Sequence, residues 1–178
     1  FQVSSIITTT GYATADFNLW PQFSRWLLVI LMLCGACAGS TGGGIKVSRI
    51  IILVRTAKKE IQRMLHPRVV NVVEMEGKPV ADTTITGASV FLIVYMLLVF
   101  GSVLVLALDQ FDLETNFTAV LACINNIGPG LGAVGPTGNY GAFSPLSKLV
   151  LIANMLLGRL EIFPILLSLA PSTWRTWR

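Results

Sequence analysis

Asn116-Phe-Thr-Ala-Val-Leu-Ala-Cys-Ile-Asn-Asn-Ile127 runs directly into Gly128-Pro129-Gly130-Leu131-Gly132. Twelve residues of helix reach about 18 Å, roughly half the hydrocarbon thickness of a bilayer. Glycine-rich backbone then replaces the helix. A half-length apolar helix followed by extended glycine backbone is the pattern of a re-entrant loop. Such backbone is tolerated at membrane depth only where protein buries it or where it lines a wet cavity.

Composition supports the membrane setting. Of the 178 residues, 53% are hydrophobic and 12% charged, and mean hydropathy is +0.72. Soluble domains carry about 25% charged residues. Disordered, collagen-like and disulfide-scaffold classes are excluded with the soluble ones. Cys34, Cys37 and Cys123 are expected to be buried structural thiols, because further metal ligands near them are lacking. The chain opens on Phe1-Gln2-Val3 without a signal-peptide pattern and is expected to be the middle of a longer protein.

Three further apolar segments flank the junction. Ile85 to Leu108 has 24 residues without a charge, enough to cross a bilayer with some tilt. Leu146 to Ala170 has 25, with Arg159 and Glu161 in its middle. Trp26 to Ala38 has only 13 and meets Gly39-Ser40-Thr41-Gly42-Gly43-Gly44, after which Ile45 to Val54 is again helix-compatible, with Lys46 and Arg49 inside it. The reading is one span broken by a glycine loop. A short span followed by an aqueous glycine linker is the alternative.

Charge sets the orientation. Eight of the 13 Lys and Arg residues lie between Lys46 and Asp82, whereas Asp109 to Pro145 holds Asp109, Asp112 and Glu114 and no base. The first segment is therefore cytoplasmic and the second outside. The net charge of +4 is a topology signal and does not call for a nucleic-acid partner. The Arg55, Lys58, Lys59, Arg63 and Arg68 run suits lipid headgroups.

The chain also repeats itself. Ser24-Arg25 through Met32 to Gly35 aligns with Ser147-Lys148 through Met155 to Gly158, an offset of 123. Thr9-Thr10-Gly11-Tyr12-Ala13 aligns with Asn126-Ile127-Gly128-Pro129-Gly130 at an offset of 117. The repeated unit is span, half-helix, loop, span. Units of this kind arranged about an axis build one pore. The expected fold is thus an all-α membrane protein with repeated span–pore helix–filter loop–span units around a pseudo-fourfold pore.

Thr9-Thr10-Gly11-Tyr12 is similar to a potassium-selective filter, in which backbone carbonyls replace the hydration shell of the ion and Gly permits the required dihedrals. The preceding helix turns its partly negative C-terminal end toward the ion. Asn126, Ile127, Gly128 and Pro129 form the second such loop, with Asn126 in place of Thr and Pro129 in place of the aromatic residue. Potassium, the transported ligand, is expected at Thr10, Gly11, Ile127 and Gly128. No covalent cofactor is expected. A phosphate loop at Gly39 to Lys46 is rejected because Ile45 separates Gly44 from Lys46. A Ser/His/Asp or Cys/His set is lacking and His66 is the single histidine, so the chain is not read as an enzyme. A secondary transporter of another small solute or cation would also use broken helices and is the alternative.

Thr8 to Phe17, Gly39-Ser40-Thr41-Gly42-Gly43-Gly44-Ile45-Lys46, Asn125 to Gly130, Gly158-Arg159 and the ending Pro171-Ser172-Thr173-Trp174 together resemble the Trk/Ktr/HKT superfamily of potassium transporters, most closely its TrkH/TrkG type. The match is to the third and fourth of four repeats. On that resemblance, residues 1–68 end the third repeat, 69–84 form a cytoplasmic linker and 85–178 form the fourth repeat. Gly11 and Gly128 are the filter glycines. Gly39, Ser40, Thr41, Gly42, Gly43, Gly44 and Lys46 form the intramembrane gate loop. Arg159 is the basic residue facing the permeation path. The resemblance further implies a homodimer in the bacterial inner membrane, multi-pass, with a TrkA-like cytosolic nucleotide-binding regulatory subunit.

Overall fold

The computed structural model describes residues 1–35, 37, 39–40, 42–66, 72–75 and 77–160. Six α-helices dominate them: α1 Gln2–Ile7, α2 Gln22–Leu33, α3 Val47–Leu65, α4 Asp82–Leu106, α5 Leu113–Ile124 and α6 Pro145–Arg159. A two-stranded antiparallel hairpin, β1 Glu74–Met75 and β2 Lys78–Pro79, interrupts the expected all-helical pattern in the linker. Gly77, at φ +74°, permits its tight turn.

Helix α4 has 25 residues and, among the described helices, is the one long and apolar enough to cross a membrane. Ala88, Phe91, Tyr95, Val99, Ser102 and Leu106 recur every three or four residues and are buried. Val90, Ile93, Leu97, Phe100 and Leu104 are equally apolar and exposed. A helix that stays apolar on both its packed and its open face suits hydrocarbon as solvent.

Helix α5 is the core. Thr115, Asn116 and every residue from Thr118 to Ile124 are buried, and α4 and α6 pack on it. It starts at Leu113, three residues before the sequence pattern suggests, because Asp112 caps it by accepting from Thr115 N at 3.2 Å. It stops at Ile124, where Asn125 leaves the helix and Asn126 turns left-handed at φ 54°. In α6, Ser144 caps the helix through Ser147 N and Pro145 occupies the first turn. A buried pair, Ser102 and Asn154, ties α4 to α6, with Asn154 Nδ2 donating to Ser102 Oγ at 2.9 Å.

Two expected spans differ in the structure. Helix α2 ends at Leu33, well before Gly39, because Cys34 bridges to Ile45 in parallel and Gly35 N donates to Ile45 O at 2.9 Å. The helix after the break begins at Val47 and continues past Val54 to Leu65, carrying Arg55, Lys58, Lys59 and Arg63. Helix α6 ends at Arg159 and Leu160 departs from it, so Arg159 sits in a last turn and not mid-helix as the sequence pattern suggests. Gly158, a weak helix former, directly precedes it. The remainder of the expected span, including Glu161, and the ending at Trp174 lie outside the described residues.

Candidate functional site

Two short loops carry the same local geometry. After α1, Thr8 N donates to Ser4 O, Thr9 N to Ile6 O and Thr10 N to Ser5 O, at 3.0, 3.1 and 2.9 Å. After α5, Asn125 N donates to Leu121 O, Asn126 N to Cys123 O and Ile127 N to Ala122 O, at 3.1, 3.1 and 2.9 Å. Thr9 and Asn126 are left-handed at φ 55° and 54°, and Gly11 and Gly128 follow at φ +77° and +111°. Each pair is 117 positions apart in sequence. Non-glycine residues seldom adopt positive φ, so the recurrence comes from how each half-helix ends.

The loops meet. A Cβ built on Gly11 would lie 2.0 Å from Ile127 O and 3.2 Å from Pro129 Cδ. Among the described residues none lies within 4 Å of a Cβ built on Gly128, and its carbonyl accepts from Tyr140 Oη at 2.7 Å. On the first loop, Tyr12 O accepts from Ser5 Oγ at 2.7 Å, and the Tyr12 ring is exposed. Thr10 Oγ1 is engaged with Thr8 Oγ1 at 2.8 Å. Asn18 joins the two halves of the chain: its side chain donates to Gly132 O and accepts from Gly132 N, at 3.1 and 3.0 Å. Thr118 Oγ1 accepts from Leu131 N at 2.9 Å and fixes the glycine-rich segment against α5. Arg25 and Glu114 form an ion pair between α2 and α5.

The glycine loop after α2 lies against the end of α5. A Cβ on Gly43 would meet Asn125 O at 2.6 Å, and one on Gly44 would meet Asn125 Oδ1 at 2.6 Å. Asn125 is fully buried, donates from Nδ2 to Met32 O at 2.8 Å and accepts from Tyr95 Oη at 3.1 Å. Asn126 Nδ2 donates to Met155 O at 3.1 Å. Gly158 packs on the same helix end, where a Cβ would fall 1.7 Å from Ile124 O. A cavity of about 80 Å³ beneath it is lined by Ser40, Gly42, Gly44, Lys46, Arg49 and Arg159, among others. Gly39 is exposed, with open space at its Cβ position, and Thr41 lies outside the described residues. The structure thus brings Ser40, Gly42, Gly44, Lys46 and Arg159 to one cavity, while Gly43 packs on Asn125, the residue before the second loop.

Asn125, Asn18 and Tyr95 were not singled out as site residues in the sequence. The polar pair Asn125-Asn126 at the end of an apolar half-helix was the available signal. Of the three cysteines, Cys123 is buried and Cys34 half-buried, but Cys37 is exposed, which corrects the expectation that all three are buried. It stands on irregular backbone between α2 and Gly39. Among the described residues there is no group of three or more potential metal ligands of the His/Cys/Asp/Glu type.

The fold is that of a mostly helical membrane protein. The TrkH cation transport protein family matches residues 1–175. The chain belongs to that family. It is 38% identical over 175 residues to the Trk system potassium uptake protein TrkH of Salmonella typhimurium, covering 98% of this chain and 36% of that protein. It is 40% identical over 176 residues to TrkH of Vibrio parahaemolyticus (99% and 36%) and 37% identical over 176 to TrkG of Escherichia coli (99% and 36%). The crystal structure of the potassium transporter TrkH from Vibrio parahaemolyticus superposes with a TM-score of 0.85 at 39% identity, covering 99% of this chain and 37% of that one. The chain therefore spans a little over a third of the length of these relatives.

Proposed function

We propose that this chain forms part of a membrane potassium uptake pore, in which the loops Thr9–Tyr12 and Asn126–Pro129 supply two segments of a four-repeat selectivity filter. The observation that carries this reading is the recurrence of one loop geometry at Gly11 and Gly128, with the two loops in contact. Left-handed and glycine backbone after a half-helix places main-chain oxygens where side chains cannot follow, which is what ion dehydration needs. Potassium is the transported ligand and would lie near Thr10, Gly11, Ile127 and Gly128. The Tyr140 bond to Gly128 O leaves that carbonyl a second lone pair.

In this reading Gly39 to Gly44 with Lys46 is the gate below the filter. Arg159, at the shared cavity, is the basic residue that lowers cation occupancy there. Residues 1–68 close a third repeat, 69–84 link, and 85–178 form the fourth, in a multi-pass protein of the bacterial inner membrane. The pore subunit would be a homodimer in lipid, served by a TrkA-like cytosolic nucleotide-binding regulator, and would have no enzymatic activity.

The test is potassium and sodium flux through the full-length protein in liposomes. Selective potassium flux that Gly11→Ser and Gly128→Ser each degrade is the expected result. Absence of cation flux from folded protein, or unchanged selectivity in both variants, overturns the proposal.

A further inference from the structure

We infer that Asn125 is a positioning residue that couples the ion-facing loop after α5 to the glycine loop after α2, so that the ion held above sets the position of the gate below. The inference rests on the pore reading above. Asn125 is the last residue before the turn Asn126-Ile127-Gly128, and it is fully buried. Both its main-chain oxygen and its side-chain oxygen face the glycine loop, at the 2.6 Å Cβ approaches of Gly43 and Gly44. Gly44 is itself at φ +85°, so that backbone cannot be exchanged for a bulkier residue that would stand off from Asn125. At Gly43 backbone meets backbone directly, and Gly44 meets the Asn125 amide, which its hydrogen bonds hold in place. Tightly packed contacts of this kind transmit displacement and do not absorb it.

The amide is chemically suited to the place. It must donate to Met32 O, in the last turn of α2, and accept from Tyr95 Oη on α4. A carboxylate cannot donate and an aliphatic side chain can do neither. Asn126 continues the device by donating to Met155 O on α6. Met32 and Met155 are each ten residues past the first residue of their helices, Gln22 and Pro145. Two successive asparagines at the end of one half-helix thus hold equivalent carbonyls on the two helices that lead to the glycine loop and to Arg159. Movement of Asn126 to Gly128 on ion binding turns Asn125, and Gly43 and Gly44 must follow.

Cys37, exposed on the same loop, provides the readout. In full-length protein in liposomes, with every other cysteine replaced, its rate of modification by a maleimide is measured in potassium and in sodium. The expected result is a rate that differs between the two ions by roughly fivefold or more, the lower end of typical coupling. That ratio should fall toward one in Asn125→Asp and in Tyr95→Phe, while unfolding temperature shows both variants folded. Tyr95→Phe decides the matter if Asn125→Asp fails to fold. A merely structural Asn125 would change stability and leave the ion ratio intact. An unchanged ratio in a folded variant, or no ion dependence in the parent protein, overturns the coupling even where potassium flux is normal. Absence of potassium flux overturns the pore reading and the coupling with it.

Discussion

Alanine at Gly11 and alanine at Gly128 should have unequal consequences, although the two glycines occupy corresponding turns. Both sit at positive φ, where a Cβ introduces strain of about 1–3 kcal/mol. At Gly128 only that strain is expected from the described residues, none of which lies within 4 Å of the new methyl. At Gly11 the methyl would be 2.0 Å from Ile127 O, and the two loops must separate to at least 3.0 Å. The obstacle is backbone and cannot rotate away, so an overpacking cost of about 1–3 kcal/mol is added. Gly11→Ala should therefore be the less stable by about that amount. It should also disturb both loops, since the separation moves Ile127 and with it Gly128. Unfolding temperature of the full-length variants in detergent measures the first effect, and the potassium-to-sodium flux ratio in liposomes the second. Equal stabilities, or a Gly128→Ala variant more disrupted than Gly11→Ala, would refute the contact between the loops.

Gly158→Ala must open the contact with Ile124 O from 1.7 Å to at least 3.0 Å, so α6 should move off α5. The overpacking cost of about 1–3 kcal/mol exceeds the helix-propensity gain of about 1 kcal/mol, and a lower unfolding temperature is expected. Asn154→Leu leaves the Ser102 hydroxyl buried without its partner and should cost about 1–3 kcal/mol. The double variant Ser102→Ala, Asn154→Leu should recover part of that loss in the same melting assay. Asp109 accepts from Ser144 N at 3.0 Å, and this bond, followed by that to Ser147, holds its carboxyl below the usual range. A lowered folded-state value means the bond stabilises above the ordinary carboxylate range and is lost as pH falls through the folded value. The difference in unfolding temperature between the parent protein and Asp109→Asn should accordingly vanish in acid.

What could be read from the sequence was local. An uncharged run of 24 residues is long and apolar enough to span a membrane and forms α4, and a 12-residue apolar run ending in glycine fixes α5 within three residues at either end. The matching turns at Gly11 and Gly128 were legible because each is specified by the few residues around it. The end of α2 at Leu33 was not, since the Cys34 and Ile45 pairing that stops it joins residues across the glycine loop. Asn125 lies in the motif but its role is not legible there, for the same reason. Its partners Met32, Tyr95, Gly43 and Gly44 are all distant in sequence, and its neighbour Asn126 carried the motif. Asn18 likewise acquires a role only when Gly132 arrives beside it.

If cations pass along an axis that the Gly11 and Gly128 loops help to surround, a heavier alkali ion should bind against both loops. Crystals of the full-length protein grown in rubidium, examined by anomalous scattering, should show a site against the backbone of Thr10, Gly11, Ile127 and Gly128, and that site should disappear when sodium replaces rubidium. Rubidium bound elsewhere in the protein, with none against the backbone of these two loops, would contradict the filter assignment.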